Sequence, residues 1–300
     1  MHGMRIGVID VGSNTTRLLV ASAGSDGLVP LDKQKVRLSL GGEIERFGAV
    51  SAVHRAAAVK AVREMARTAR RSQVATLDVF LTAPGRQARN AADLVAALSR
   101  AAGVQARVLT TEEEGTLAYR GAVLTAGIEL PSRIAVCDIG GASTEIAVGA
   151  PTGEPDWIES VDLGSVRLTA RSGDMRSEAG GAFAHLVPPP AEAVLVVGGS
   201  ARAARRLVGA ELGEAELAEA LQIVETSSPR EVARRFGVDP ARAEILPAGV
   251  MLLAEVQRKL EATLHVCSGG IREGAVLASH DALAALATSA EGSRARRPRR

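Results

Sequence analysis

Aromatic side chains are nearly missing from this chain: four Phe, one Trp and one Tyr make up 2% of its 300 residues. Since 46% of the residues are still hydrophobic, the core has to be aliphatic, built from Val, Leu, Ile and Ala. Cysteine is as scarce. Cys137 and Cys267 each lie in an apolar strand-like run just before a glycine pair, which reads as two buried free thiols rather than a disulfide or metal pair. No run approaches the ~20 apolar residues of a membrane span, so no membrane partner is expected. The N-terminus enters a strand-like segment almost at once, unlike a secretory leader, and the expectation is a cytoplasmic protein. Net charge is also small. The formal +2 resides in the last ten residues, EGSRARRPRR, whose five Arg and one Glu leave residues 1–290 at −2. A nearly neutral body carries no broad nucleic-acid footprint, so no nucleic-acid partner is expected. Residues 288–300 read as a basic, disordered tail.

What the chain does have is a repeat. RIGVIDVGSNTTRLLVA (5–21) and RIAVCDIGGASTEIAVG (133–149) match without a gap at Arg5/Arg133, Ile6/Ile134, Val8/Val136, Asp10/Asp138, Gly12/Gly140, Thr16/Thr144 and Val20/Val148. Each copy reads strand, glycine turn, strand. Further strands are predicted at about 29–40, 76–82, 105–110 and 193–199, and in TLHVCSGG. Between them, Val53, Ala56, Ala57, Lys60, Ala61 and Met65 recur at helical spacing, and ARNAADLVAALSRAAG is an amphipathic helix closed by Gly103. A last helix is predicted from about Ile271 to Ala287. Residues 171–190, polar and then triply prolyl, are predicted to contain a surface loop. Strands alternating with helices argue for an α/β architecture. One strand-turn-strand unit opening each half predicts two similar domains facing across a cleft, where ligands favour binding.

Each copy ends an apolar strand on Asp and continues with glycine and hydroxyl residues. Gly12, Gly140 and Gly141 allow close backbone approach to an anion, and the N–H groups and hydroxyls of Ser13, Thr15, Ser143 and Thr144 suit phosphoryl oxygens. Asp10 and Asp138 would repel those phosphates unless a hard cation such as Mg²⁺ bridged them. The plainer alternative is a pair of hairpins whose Asp caps a turn. Glycine pairs in VLVVGGSARAARRL and LHVCSGGIREGAVL open helices, another anion-attracting geometry. In LTTEEEGTLAYRG, Thr111 and Glu114 fit a capping box, which accounts for the Glu run structurally; the rival reading makes one Glu a general base for water, its pKa raised by its neighbours. In TAPGRQARN, Arg86 or Arg89 suits a phosphate clamp, or both are solvated. None of the five His has metal-ligand spacing with another His or Cys.

From about residue 5 to 280 these motifs, in this order, resemble the exopolyphosphatase and guanosine-pentaphosphate phosphatase (Ppx/GppA) family in its short two-domain form, within the acetate kinase, sugar kinase, Hsp70 and actin superfamily. The resemblance implies two ribonuclease H-like (actin-like) domains, one over 1–122 joined by the C-terminal helix after about 278, the other over 123–277. It implies exopolyphosphatase activity: Mg²⁺-dependent release of terminal orthophosphate from inorganic polyphosphate. Guanosine pentaphosphate is the alternative substrate, and an actin-like protein that binds nucleotide or polyphosphate with little hydrolysis is the alternative class. Carried over by motif, Glu114 is the catalytic base and Arg86 the phosphate contact. The two loops, Gly12, Ser13, Asn14 and Gly140, Gly141, Ala142, Ser143, Thr144, hold the substrate, and Asp10, Asp138 and Glu145 hold the metal. Family members often form homodimers. Two positions depart from the pattern, Thr116 where Arg is frequent and Ala142 where Gly is common.

Overall fold

The computed structural model describes residues 3–24 and 27–295, with side chains described to residue 288. The first half contains β1 (Met4–Val11), β2 (Thr15–Gly24), β3 (Gly27–Arg37), α1 (Leu40–Phe47), α2 (Ala52–Arg71), β4 (Thr76–Leu81), α3 (Ala83–Gln87), α4 (Ala91–Ala102), β5 (Ala106–Val108) and α5 (Thr111–Leu124). The second contains β6 (Ile134–Ile139), β7 (Thr144–Gly149), β8 (Pro155–Val161), α6 (Ser165–Ala170), α7 (Met175–Phe183), β9 (Ala193–Val197), α8 (Gly198–Val208), β10 (Glu211–Leu212), α9 (Glu214–Thr226), α10 (Pro229–Phe236), α11 (Pro240–Ala243), α12 (Leu246–Leu260), β11 (Leu264–Val266) and α13 (Ile271–Ala295).

The internal repeat extends from motif to topology. One sheet runs β3-β2-β1-β4-β5 and the other β8-β7-β6-β9-β11-β10. In each, an antiparallel three-strand meander is followed by two parallel strands entered through helical crossovers, and in the second sheet the short β10 adds an antiparallel edge to β11. Both sheets are covered on two faces by aliphatic cores, as the lack of aromatics requires. Helix α13 returns to the first half: Ala275 and Val276 pack with Ile6, Val8, Leu19, Phe80 and Leu117. Glycines allow α5 and α13 to cross closely, since a Cβ at Gly121 or Gly274 would run into the Gly270 or Leu117 carbonyl.

Several expectations change in detail. Helix α2 buries Ala58, Ala61, Val62, Met65, Ala66 and Ala69, whereas Val53 is 76% exposed. Its alanine-rich sequence satisfies helical spacing on overlapping faces: Ala61 and Met65 are buried as expected, and packing against α4 turns the rest of the buried face to Ala58, Val62, Ala66 and Ala69. Residues 171–190 contain the predicted loop, at 184–190, and ahead of it α7, started by the Asp174 carboxylate accepting from the Ser177 N–H at 2.8 Å. Helix α1 arises within SLGGEIERF, which carried no clear helical signal. Helix α13 runs through Ala295, so the first part of the predicted tail is helical; residues 296–300 lie outside the described residues. Gly103 closes α4 at φ 68°, donating to Ser99 O at 2.9 Å, and both cysteines are buried and free, as expected.

Candidate active site

The twin turns meet. Gly12 N–H donates to Thr15 O at 3.1 Å, and Gly140 N–H to Ser143 O at 3.0 Å, so the two bends share one hydrogen-bond pattern. Each is held from behind by its own half. Gly41 N–H donates to Ser13 O at 2.8 Å and Leu38 N–H to Asn14 O at 3.0 Å. Ser165 N–H donates to Gly140 O at 3.1 Å and Val166 N–H to Gly141 O at 2.8 Å. A Cβ placed on Gly141 would sit 3.1 Å from the Ser13 Cβ, which puts the loops against each other. They line a single cavity of about 130 Å³. Among the described residues, the N–H groups of Ser13, Asn14, Gly141 and Ala142 donate to no protein acceptor. Unspent donors on two facing turns form an anion nest.

Of the predicted site residues, Asp10, Gly12, Ser13, Asn14, Glu114, Asp138, Gly140, Gly141, Ala142, Ser143 and Glu145 line this cavity. Two do not. Thr144 is fully buried and its hydroxyl donates to Leu163 O at 2.8 Å, fastening β7 to the segment between β8 and α6. Arg86 lies behind Glu114: its Nη1 donates to Leu109 O at 2.8 Å and to the Glu114 carboxylate. Arg89 is a structural residue, donating to Phe47 O at 2.8 Å. The N–H groups of Gly12 and Gly140, expected to face phosphate, are spent inside their turns.

The capping box of α5 forms one residue earlier than the sequence suggested. Thr110 is the N-cap, its hydroxyl accepting from Glu113 N–H, while Glu113 reaches back to the Thr110 N–H at 2.8 Å. That shift assigns the capping duty to Glu113 and releases Glu114, which turns inward and is only 3% exposed. Burial raises the Glu114 pKa well above the usual carboxylate range, the nearby Glu145 adds to this, and the Arg86 guanidinium opposes it.

The other carboxylates are strained in the same direction. Burial, helped by repulsion from Asp138, pushes Glu145 up to about 7, although Ser160 donates to it at 3.0 Å. Asp138 is pushed up to about 6, chiefly by burial, with Arg202 pulling the other way. Asp10 is raised by burial too, and its Oδ1 is a buried oxygen with no hydrogen-bond partner. That orphaned oxygen fits a hard cation. Mg²⁺ takes one or two carboxylates and completes its shell with phosphate oxygens and water. Among the described residues no three His, Cys, Asp or Glu side chains are grouped to hold a metal by themselves, so a two-carboxylate site completed by phosphate fits better than a closed cage of three.

Four arginines reach the same cavity unforeseen: Arg17 from β2, Arg202 from α8, Arg242 from α11 and Arg272 from α13. Burial, with Arg272 and Arg202 close by, holds Arg17 down at about 10. The signal available was in the glycine pairs, since Arg202 and Arg272 each follow one at the start of a helix. Gly198, at φ 99°, brings the N-terminus of α8 against the Ile139 carbonyl and Asp138 Oδ1, which a Cβ would meet at 2.6 and 2.9 Å. The cavity therefore holds N–H donors, arginines and a set of buried carboxylates around an anion-sized space, with Asp10 Oδ1 as a cation-ready oxygen.

Known proteins resemble this chain in sequence and in fold. Residues 19–179 match the Ppx/GppA phosphatase family. Exopolyphosphatase 1 of Mycobacterium tuberculosis is 34% identical over 167 residues, 55% of this chain and 48% of the relative; the Mycobacterium leprae protein of the same name is also 34% identical, over 49% of its length. The chain thus matches about half the length of these curated relatives. Among solved structures, the Ppx/GppA protein of Aquifex aeolicus aligns over 92% of this chain and 97% of its own at 22% identity and a TM-score of 0.78. An exopolyphosphatase of Cytophaga hutchinsonii aligns over 93% of this chain and 98% of its own at 19% identity and a TM-score of 0.81. With the doubled α/β topology and a family match over more than half its residues, the chain belongs to the Ppx/GppA phosphatase family.

Proposed function

We propose that this chain is a phosphoanhydride hydrolase that releases terminal orthophosphate from inorganic polyphosphate. The observation that carries the reading is Glu114: a buried carboxylate relieved of helix capping, raised in pKa, and set in the cavity into which both phosphate-type loops turn. A water oxygen attacks the terminal phosphorus while Glu114 takes its proton, and the bridging oxygen departs with the shortened chain. A raised pKa makes the carboxylate a better proton acceptor near neutrality. The free N–H groups of Ser13, Asn14, Gly141 and Ala142, with Arg17, Arg202 and Arg272, stabilise the charge on the phosphoryl oxygens, which dominates such transfers. Arg86 fixes the Glu114 carboxylate, acting as a positioning residue; the grip on phosphate that its motif implies passes to the arginines lining the cavity. Asp10 and Asp138 would hold Mg²⁺, with Glu145 hydrogen-bonded nearby, and the ion would neutralise phosphate charge.

Glu114→Gln keeps the size and the Arg86 contact and should lower phosphate release at least ~100-fold with an unchanged circular-dichroism spectrum. Unchanged turnover would remove Glu114 from the chemistry. The substrate is tested by phosphate release from long polyphosphate, tripolyphosphate and guanosine pentaphosphate, each with Mg²⁺ and with chelator. Hydrolysis of polyphosphate that survives chelation would end the metal assignment, and hydrolysis of guanosine pentaphosphate alone would end the substrate assignment.

A further inference from the structure

The cavity between the twin loops is too small for the substrate proposed above. Its 130 Å³ lies below the ~300–1,000 Å³ typical of small-molecule sites, so it encloses the reacting end and little else. Beside it opens a groove of about 790 Å³ between β2, β3 and the α8–α11 region. The two spaces are continuous, because Arg17, Gly199, Arg202 and Arg242 line both. Gly199 makes the junction: a larger residue there would collide with the Arg242 guanidinium.

The groove's charge is one-sided. Seven cationic side chains line it among the described residues, against one carboxylate, Asp239. That carboxylate is already engaged, 4.0 Å from Lys35 and 3.8 Å from Arg37. Arg206 stiffens the wall by donating to Gly237 O at 2.5 Å, and Arg230 and Arg234 stand exposed farther along α10. Crowded guanidinium groups are costly when nothing negative lies between them. Burial and the neighbouring Arg202 hold Arg242 down at about 10, which is the mark of that cost. A bound polyanion reverses it. The rest of the lining argues against a nucleoside. Its apolar side chains are Ala203, Ala233, Val238 and Pro240, and the nearby Phe236 ring is occupied by the Arg235 guanidinium at 4.9 Å. A base would find no aromatic face to stack on.

We propose that this groove is an extended subsite for the trailing phosphates of a long polyphosphate chain, with Arg206, Arg230 and Arg234 as its outer contacts. It rests on the hydrolase reading for which end of the chain enters the cavity, and it goes further by making chain length, at the level of binding, a property of α8 and α10. Each outer arginine holds the chain without touching the reacting phosphate. Chains too short to leave the cavity do not feel them.

The experiment measures equilibrium binding of long polyphosphate, tripolyphosphate and guanosine pentaphosphate to the full chain, and in parallel KM and kcat for phosphate release. The variant is Arg230→Ala/Arg234→Ala. The control is Arg205→Ala/Arg235→Ala, which removes the same charge from α8 and α10 outside the groove. The expected result is a loss of at least ~10-fold in affinity for long chains, a matching rise in KM with kcat intact, a shallower salt dependence, and no change for tripolyphosphate. The control should behave as the parent. Equal losses in variant and control, equal losses for long and short chains, or tighter binding of guanosine pentaphosphate than of long polyphosphate would each overturn the proposal. Because binding is read separately, a parent that holds long chains through these arginines without releasing phosphate would refute the hydrolase reading alone.

Discussion

Opposite Asp10 on the first hairpin stands Arg17; opposite Asp138 on the second stands Glu145. The two hairpins have the same bends, the same closing hydrogen bonds and the same register, so they differ here in the sign of one cross-strand charge. The consequence is a division of labour. In the first copy a cation offsets the strand-end carboxylate and adds to the anion-attracting field. In the second, two buried carboxylates face each other, and Asp138 adds to the burial that raises the Glu145 pKa, beside the carboxylate of Glu114. A duplicated backbone thus carries one copy whose strand-end carboxylate faces a cation and one whose strand-end carboxylate faces a second carboxylate.

The comparison is broken most severely by Arg17→Glu, which turns the first hairpin into a copy of the second. Phosphate release should fall ~10³-fold, measured at saturating metal, because an anion replaces a cation where phosphate charge develops. Near-normal turnover would mean that the asymmetry is incidental. Next in size is Gly274→Val at the α5–α13 crossing that keeps the halves facing. Its side chain has nowhere to go but the Leu117 backbone, and stability should drop by ~3 kcal/mol or more, read by chemical denaturation.

A subtler change is Glu145→Gln, which removes the acidic partner of Asp138. The folded-state pKa of Glu145 is about 7, above its ordinary 4.5, so the native protein binds the extra proton between those values. Stability from this group is complete below about pH 4.5 and is lost as pH rises through about 7. The variant should therefore flatten that decline and raise Tm above pH 7 by ~2 °C or more, with little change in acid. A Tm difference that does not depend on pH would contradict the assignment. Smallest of all is Glu113→Ala. Removing the capping carboxylate and its 2.9 Å contact with Arg107 should cost ~1 kcal/mol, while kcat stays near that of the parent, in contrast with Glu114→Gln.

The contrast between Glu113 and Glu114 also marks where sequence reading stops. A run of three Glu behind two Thr announces a capped helix, yet it allows two registers a residue apart, and in each a different Glu faces inward. Only the packing of α5 against β8 and α13 chooses between them. The face of α2 was ambiguous for the same reason: alanines are small enough to fit either side, and the partner surface decides. By contrast, the strand-turn-strand units, the cap at Gly103 and the buried thiols were legible because each is set by neighbours within a few residues.

Local chemistry was enough to establish the doubled hairpin, the α/β class and the acidic and glycine-rich positions of the cavity, since strand alternation and turn preferences act over short stretches of chain. The cationic half of the site was not accessible in that way. Arg17, Arg202, Arg242 and Arg272 come from four separate elements, and apart from the glycine pairs ahead of Arg202 and Arg272 nothing in their immediate surroundings distinguishes them from solvated arginines. Their proximity, and the burial that makes their charge costly without an anion, exist only once the two sheets have closed on each other, because Coulomb and desolvation energies depend on distance through space and on the water excluded along it.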